Sequence, residues 1–281
     1  MAFIEMFESI AQRAEQAAKS KSLHKEADGM LHCDVCGEPV QSVISVMGES
    51  KTVFCTCRCD WEAEAAEKKR RDEEERQRRV DYLRAECFGL GDSTFRDWTF
   101  ASSDGKQADV ERTAHKFCDR FGDFKRKGKG LLFYGGTGTG KTFTAACIAN
   151  ELTGAGVSVM MTNFAKIVNR VQEKFEGRQR YLDSLNKFDL LIIDDLAAER
   201  NTEFVNEIVY NVIDSRYSSG LPLIVTTNIS PKDMIKEGEI TRNRIYSRLY
   251  QMCYAIEVKG KDRRKEAAAR EVDELRALLG V

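Results

Sequence analysis

The residues with the clearest chemical capacity are Gly135-Gly136-Thr137-Gly138-Thr139-Gly140-Lys141-Thr142, a glycine followed after four residues by Gly-Lys-Thr. This is the spacing of a phosphate-binding loop. Small residues let the backbone curl so that successive N–H groups point at phosphate oxygens, and the helix that follows adds its positive dipole end. In such a loop Lys141 would reach the β- and γ-phosphates of ATP and the Thr142 hydroxyl would bind Mg²⁺. Downstream, Leu190-Leu191-Ile192-Ile193 runs into Asp194-Asp195. That run is too short for a helix and predicts a buried strand with its carboxylates at the carboxyl edge. Asp194 would hold Mg²⁺ and Asp195 would polarise the water that attacks the γ-phosphate. A further apolar strand, Leu221 to Thr227, ends at Asn228, placed to sense the γ-phosphate or align that water. A small-molecule P-loop kinase would not need this amide.

Two arginine sets complete the first group. Arg244 and Arg248 lie four apart on one helical face, where an arginine offered to a neighbouring subunit would neutralise charge on the transferring phosphoryl group. Arg263 and Arg264 open the last helix, and an arginine at that position would reach the γ-phosphate in the same subunit. Arg216, at the end of the helix from Phe204 to Tyr217, is expected either to serve the site or to form a salt bridge at the helix end.

A second chemistry sits near the N-terminus. Five of the nine cysteines fall between Cys33 and Cys59, as Cys33-Asp34-Val35-Cys36-Gly37 and Cys55-Thr56-Cys57-Arg58-Cys59. Two tight turns about twenty residues apart suit one tetrahedral Zn²⁺. Cys33, Cys36, Cys57 and Cys59 are the expected ligands, with Cys55 as the substitute, and His24 and His32 are expected to be surface residues. A module this small would hardly fold without such a staple.

Other elements must hold these groups in place. At 281 residues the chain accommodates one α/β domain and a smaller appendage. With 44 basic and 45 acidic side chains it has no global attraction to nucleic acid. Acids in the first residues and the lack of an apolar run near ~18 residues argue against a signal peptide or membrane span, so a cytoplasmic, reducing compartment is expected. Phe3, Phe7, Ile10 and Ala14 outline an amphipathic helix from about Ala2 to Lys19, packed on its own module or docked on a partner. Residues 62–86 hold nine acids and eight bases with neither Gly nor Pro, which predicts an exposed helix joining two domains.

Phe95, Trp98 and Phe100 would wall the adenine pocket or pack in the core. Val110, Ala114, Phe117, Phe121 and Phe124 predict one amphipathic helix, with Lys125 to Lys129 as a basic loop after it. Asn163 is the expected N-cap of a helix from Phe164 to Phe175. Basic residues among Phe175 and Tyr181, between Arg170 and Lys187, would suit single-stranded nucleic acid, against the acids Glu173 and Glu176.

Taken in order, the thiol turns, the charged helix, Gly-Gly-Thr-Gly-Thr-Gly-Lys-Thr, Ile-Ile-Asp-Asp-Leu, Val-Thr-Thr-Asn and Arg-Ile-Tyr-Ser-Arg-Leu resemble the replicative helicase loaders of the DnaC/DnaI group of AAA+ ATPases. The related IstB transposition helpers are similar over the ATPase part alone, about residues 92–264. The resemblance implies an AAA+ P-loop domain with a parallel sheet (92–281), a helicase-binding zinc module (1–60) and a linker helix (61–91). It further implies ATP with Mg²⁺, a ring or spiral of copies on a hexameric DNA helicase, and single-stranded DNA near Phe175, Thr202 and Phe204. Carried across, it makes Lys141 and Thr142 the Walker A pair, Asp194 and Asp195 the Walker B pair, and Asn228 sensor 1. Arg248 becomes the arginine finger and Arg264 sensor 2. Family members often carry Asp-Glu at Walker B and Ser-Tyr-Arg before sensor 2; Asp262-Arg263-Arg264 departs from the latter and leaves the two arginines hard to separate.

Overall fold

The computed structural model describes residues 12–46, 48–88, 93–173, 177–196, 202–234 and 240–279, so Phe3, Phe7, Ile10 and Phe175 lie outside the described residues. The chain divides into two units, Met1–Gln77 and Arg78–Val281.

In the first unit a helix, α1 (residues 12–19), precedes two antiparallel pairs, β1 (Leu23–Lys25) with β2 (Leu31–Cys33) and β3 (Gln41–Val46) with β4 (Glu49–Phe54). Ala14, from the predicted apolar stripe, is buried. Among the described residues a cluster forms in which Cys33, Val40 and Cys57 are buried, with Leu23, Leu31, Cys36 and Cys59 packed around them, so that thiols make up much of it.

The long helix α2 (Arg58–Phe88) runs through the division between the units. Its 31 residues make a rod of about 46 Å. It buries only Val80, Leu83, Cys87 and Phe88, all near its C-terminal end. Before that, solvated pairs such as Glu67–Arg71 at 2.6 Å support it one turn at a time.

The second unit contains α3 (Ala108–Asp119), α4 (Phe121–Lys127), β5 (Gly130–Tyr134), α5 (Lys141–Gly154), β6 (Val159–Asn163), α6 (Phe164–Glu173), α7 (Arg178–Ser184) and β7 (Leu190–Leu196). It continues through α8 (Glu203–Ser218), β8 (Leu223–Thr227), α9 (Pro231–Met234), α10 (Ile240–Met252), β9 (Cys253–Glu257) and α11 (Arg263–Leu279). The five strands form one parallel sheet in the order β6-β7-β8-β5-β9. Helices cover both faces, so the central strands read as unbroken apolar runs; Leu131 to Phe133, Leu190 to Ile193 and Leu223 to Val225 are buried throughout. Parallel strands bring all their carboxyl ends to one edge. Because β8 lies between β5 and β7, Asn228 after β8 falls between the glycine loop after β5 and the two aspartates of β7.

Two local expectations change. The apolar stripe from Val110 to Phe124 is carried by two helices, broken at Arg120 (φ −111°, ψ 22°), which lets Phe117 meet both Phe121 and Phe124. Lys125, Arg126 and Lys127 are the last turn of α4 rather than a loop, closed by Gly128 in the left-handed region, where basic side chains favourably meet the helix's C-terminal dipole. Asn163 does cap α6, its Oδ1 accepting from the Lys166 N–H at 2.9 Å.

Candidate functional site

The glycine loop leaves β5 and turns into α5 around Lys141, which is 7 % exposed although it carries an ammonium. Its Nζ donates to Gly135 O at 3.0 Å, Gly136 O at 2.7 Å and Asn228 Oδ1 at 2.7 Å. Burial pulls its pKa below the usual lysine value, and the nearby carboxylates of Asp195 and Asp194 partly offset this. Gly138 has φ +71°, and a Cβ there would fall 1.8 Å from Asp262 Oδ1. At Gly135 a Cβ would come within 2.4 Å of Val258 O. Glycine is thus required at both positions by space as well as by conformation.

Asp194 accepts from Thr226 Oγ1 at 2.6 Å and from the Thr142 hydroxyl. Its pKa is raised, chiefly by burial, against the lowering effect of those hydrogen bonds. Asp195 has φ +58°, the left-handed region, and the β7–β8 register slips between Ile193 and Leu196. This bulge turns the second carboxylate outward, so that Asp195 is exposed beside Asp194 rather than on the opposite face of the strand. Two buried threonines hold the bulge: Asp195 N–H donates to Thr226 Oγ1 at 2.8 Å, and Thr227 Oγ1 donates to Leu196 O at 2.9 Å. Asn228 Nδ2 faces Asp195 Oδ1 at 3.3 Å. Sequence reading missed Thr226 and Thr227. The signal was two hydroxyls inside a strand whose other residues are wholly buried and apolar.

The start of α11 closes the site. Arg263 N–H donates to Gly138 O at 3.0 Å, and Asp262 Oδ1 accepts from Arg264 N–H at 3.1 Å. Both Arg263 and Arg264 line a cleft of about 290 Å³ together with Lys141, Thr142, Asp194, Asp195 and Asn228. Arg263 also pairs with Asp104 at 3.2 Å, a partner the sequence did not announce. Trp98 lines the same cleft, its ring 5.7 Å from Phe143, while Phe95 and Phe100 pack on the core. The buried Asn150 fixes this aromatic segment on α5 by donating to Phe95 O and Trp98 O, each at 2.8 Å.

Arg248 stands apart from this cleft. It pairs with Asp214 at 3.1 Å and lies over the Tyr217 ring at 4.2 Å; Arg244, one turn earlier, is exposed. Arg216 neither serves the cleft nor forms a surface salt bridge. It is fully buried, and its guanidinium donates to the carbonyls of Pro222, Phe188, Asp189 and Leu185. That fork clamps the turns before β7 and β8, and burial brings its pKa down to about 10. In the segment read for nucleic acid, Arg170 lies over Tyr181 at 5.6 Å and Arg178 over Phe204 at 5.3 Å, with Arg178 also paired to Glu207.

In the first unit the Sγ atoms of Cys33, Cys36, Cys57 and Cys59 lie within 4.8 Å of one another. Cys55 Sγ instead faces Pro39 O at 3.5 Å, outside that group. Gly37, φ +72°, closes the first turn by donating to Cys33 O at 2.8 Å. Backbone N–H groups of Cys36 and Val35 hold the Cys33 thiol below its usual pKa, and that of Glu38 does so for Cys36. Four thiols at this separation fit a tetrahedral Zn²⁺, with amides favouring the thiolate at Cys33 and Cys36, while the crowding of Cys57 and Cys33 by itself pushes the Cys59 thiol up to about 12. His32, expected at the surface, is buried, bonded to Gly37 O and Asp28.

Residues 62–270 match the family of IstB-like ATP binding proteins. The chain belongs to that family. Among curated relatives, the Replicative helicase loader DnaI of Bacillus subtilis (strain 168) is 30 % identical over 150 residues, covering 49 % of this chain and 48 % of the relative. The Replicative helicase loader DnaC of Escherichia coli (strain K12) is 30 % identical over 143 residues, covering 47 % of this chain and 58 % of its own length. The chain thus spans about half the length of the curated relatives it matches. A crystal structure of DnaI covers 64 % of this chain and 98 % of its own, with a TM-score of 0.51 at 23 % identity, and shares the fold. The second unit is therefore an α/β domain with a five-stranded parallel sheet, sharing the fold of that structure. Among the described residues no helix is long and apolar enough to cross a membrane.

Proposed function

We propose that this protein is an ATP-dependent loader of a replicative DNA helicase onto single-stranded DNA, and that it hydrolyses ATP. The observation that carries the reading is the convergence of Lys141, Asp194, Asp195 and Asn228 at one sheet edge, in a chain whose relatives are named helicase loaders. Residues 1–60 are the module that grips the helicase, 61–91 the linker and 92–281 the ATPase. Lys141 and the loop amides hold the phosphates of ATP. Thr142 and Asp194 hold Mg²⁺, which supplies charge neutralisation on those phosphates. Asp195 orients the attacking water and Asn228 fixes its position. Arg264 contacts the γ-phosphate of its own subunit, and Arg248 serves the neighbouring copy, leaving Asp214 when copies assemble. The four thiolates hold Zn²⁺.

The test uses the full chain with a purified hexameric replicative helicase and forked DNA coated with single-strand binding protein. Helicase-dependent unwinding that requires this chain and ATP is expected. No complex with the helicase in size-exclusion chromatography sinks the loader reading; normal loading by Asp195→Asn sinks only its hydrolytic part.

A further inference from the structure

At the sheet edge opposite the nucleotide cleft, α3, α4 and the end of α10 surround the first residues of β5 and β9. They enclose a groove of about 700 Å³, within the roughly 300–1,000 Å³ typical of ligand-holding pockets. Its depth is apolar: Phe117, Leu131 and Met252 are buried and Phe124 half-buried. On one wall Tyr254 is 69 % exposed, although it belongs to a strand of the central sheet. Beside it Tyr250 is held by its hydroxyl, which donates to Pro231 O.

The rim is mostly cationic. Lys116, Arg120, Lys127 and Lys129 surround the opening, and the single acid, Asp123, is already paired with Arg120 and Arg126. Lys129 is tied to Gln251 O, whereas Lys116 and Lys127 are exposed and have no ion-pair partner among the described residues. An open apolar trough with a cationic rim is a recognition surface with a defined preference.

We propose that this groove docks an acidic segment of a partner protein, one that inserts aliphatic or aromatic side chains between its carboxylates. The free rim cations select the acids, and the buried floor selects the apolar anchors. Single-stranded nucleic acid fits less well, since it stacks on a row of exposed ring faces beside its phosphate contacts. Among the residues lining this groove Tyr254 is the one freely exposed ring. The five residues of β5, at about 3.3 Å each, put on the order of 15 Å between the groove and the glycine loop. The segment and the nucleotide therefore bind together rather than in competition.

Panning a random twelve-residue phage-displayed peptide library on the full chain tests this, followed by fluorescence anisotropy of the selected peptides and of a labelled twelve-nucleotide oligo-dT. The comparison variants are Lys116→Glu/Lys127→Glu and Tyr254→Ser, whose residues are exposed and outside the nucleotide cleft; unchanged ATP binding and melting temperature verify their fold. The expected result is a consensus of Asp or Glu interleaved with Phe, Leu or Trp. Its affinity should fall about tenfold or more in both variants, weaken with salt and be insensitive to ATP. Three results overturn the proposal: no acidic–apolar consensus, consensus peptides that bind both variants as well as the parent, or oligo-dT binding that the charge reversal abolishes while no peptide binds.

Discussion

Lys141 Nζ and Asn228 Oδ1 are 2.7 Å apart, which ties the lysine proposed to bind phosphate to the polar end of β8. The same Asn228 side chain turns its Nδ2 toward Asp195, so one amide bridges the two groups proposed to hold phosphate and to orient water. Asn228→Ala is expected to lower ATP hydrolysis about 10²–10³-fold, the usual cost of one positioned donor in a reacting site. Fluorescent-ATP binding should change only a few-fold. Lys141→Ala should abolish binding itself. Phosphate release and nucleotide titration on the same preparations separate the two, and unchanged hydrolysis in Asn228→Ala would reduce that residue to a support for Lys141.

Gly138→Ala adds a single methyl group where Asp262 already sits. The Asp262 carboxylate must then swing off Arg264 N–H or the start of α11 must move back from the loop, and either disturbs the helix start that carries Arg263 and Arg264. A loss of nucleotide affinity of about tenfold or more is expected, with backbone strain of roughly 1 kcal/mol at the positive φ. Isothermal titration calorimetry with a non-hydrolysable ATP analogue measures it.

Arg216→Met keeps much of the side chain's length but strands four buried carbonyls. At about 1–3 kcal/mol for each unsatisfied buried group, partly relieved by relaxation, a loss of 3 kcal/mol or more is expected. Arg216→Lys should rescue little of it, because one ammonium cannot match the planar fork. Urea denaturation reads the loss, and ATP affinity measured well below the melting temperature should remain near the parent's.

The Cys87 and Cys147 thiols are pushed up to about 12 by burial, from an ordinary value of 9.0. The folded state therefore keeps protons that the unfolded chain releases, so stability from these groups is intact below pH about 9 and is lost between 9 and about 12. Replacing both with Ala should flatten the alkaline limb of a stability–pH curve in that window. In the native protein at pH 8 neither thiol should react with iodoacetamide, which mass spectrometry of the alkylated chain can check.

Zinc removal should act on one unit. A strong chelator, or Cys33→Ser, is expected to release about one equivalent of Zn²⁺ and open residues 12–60 to proteolysis, while ATP binding survives. Metal release followed with a colorimetric indicator and the peptide map give both readouts.

Much of the site was legible because its chemistry is written in contiguous runs. Gly135 to Thr142, the two aspartates of β7 and Asn228 each follow an apolar strand, and parallel strands necessarily bring their carboxyl ends together. The thiol cluster was legible from spacing, which left Cys55 open as a substitute until the fold turned its Sγ to Pro39 O. What escaped depends on contacts between residues far apart in sequence. Arg216 looked like a helix-end cation because nothing local reveals that the carbonyls of Leu185, Phe188, Asp189 and Pro222 surround it. Asp104 meets Arg263, 159 positions away, and Thr226 matters only because β8 lies against β7. The break at Arg120 was hidden because the apolar stripe continues across it.

The left-handed backbone of Asp195 narrows the evolutionary routes open to this site. Asn and Glu both lie a single nucleotide change from Asp. Asn tolerates that conformation well, yet as a neutral amide it surrenders the negative charge that would draw a proton from water. Glu keeps the charge, but its longer side chain lacks the local hydrogen bonding that eases Asp and Asn into this region, where an ordinary residue costs roughly 1–2 kcal/mol. A lineage drifting from Asp-Asp toward Asp-Glu therefore carries that backbone cost for as long as Thr226 and Thr227 hold the bulge in its present shape.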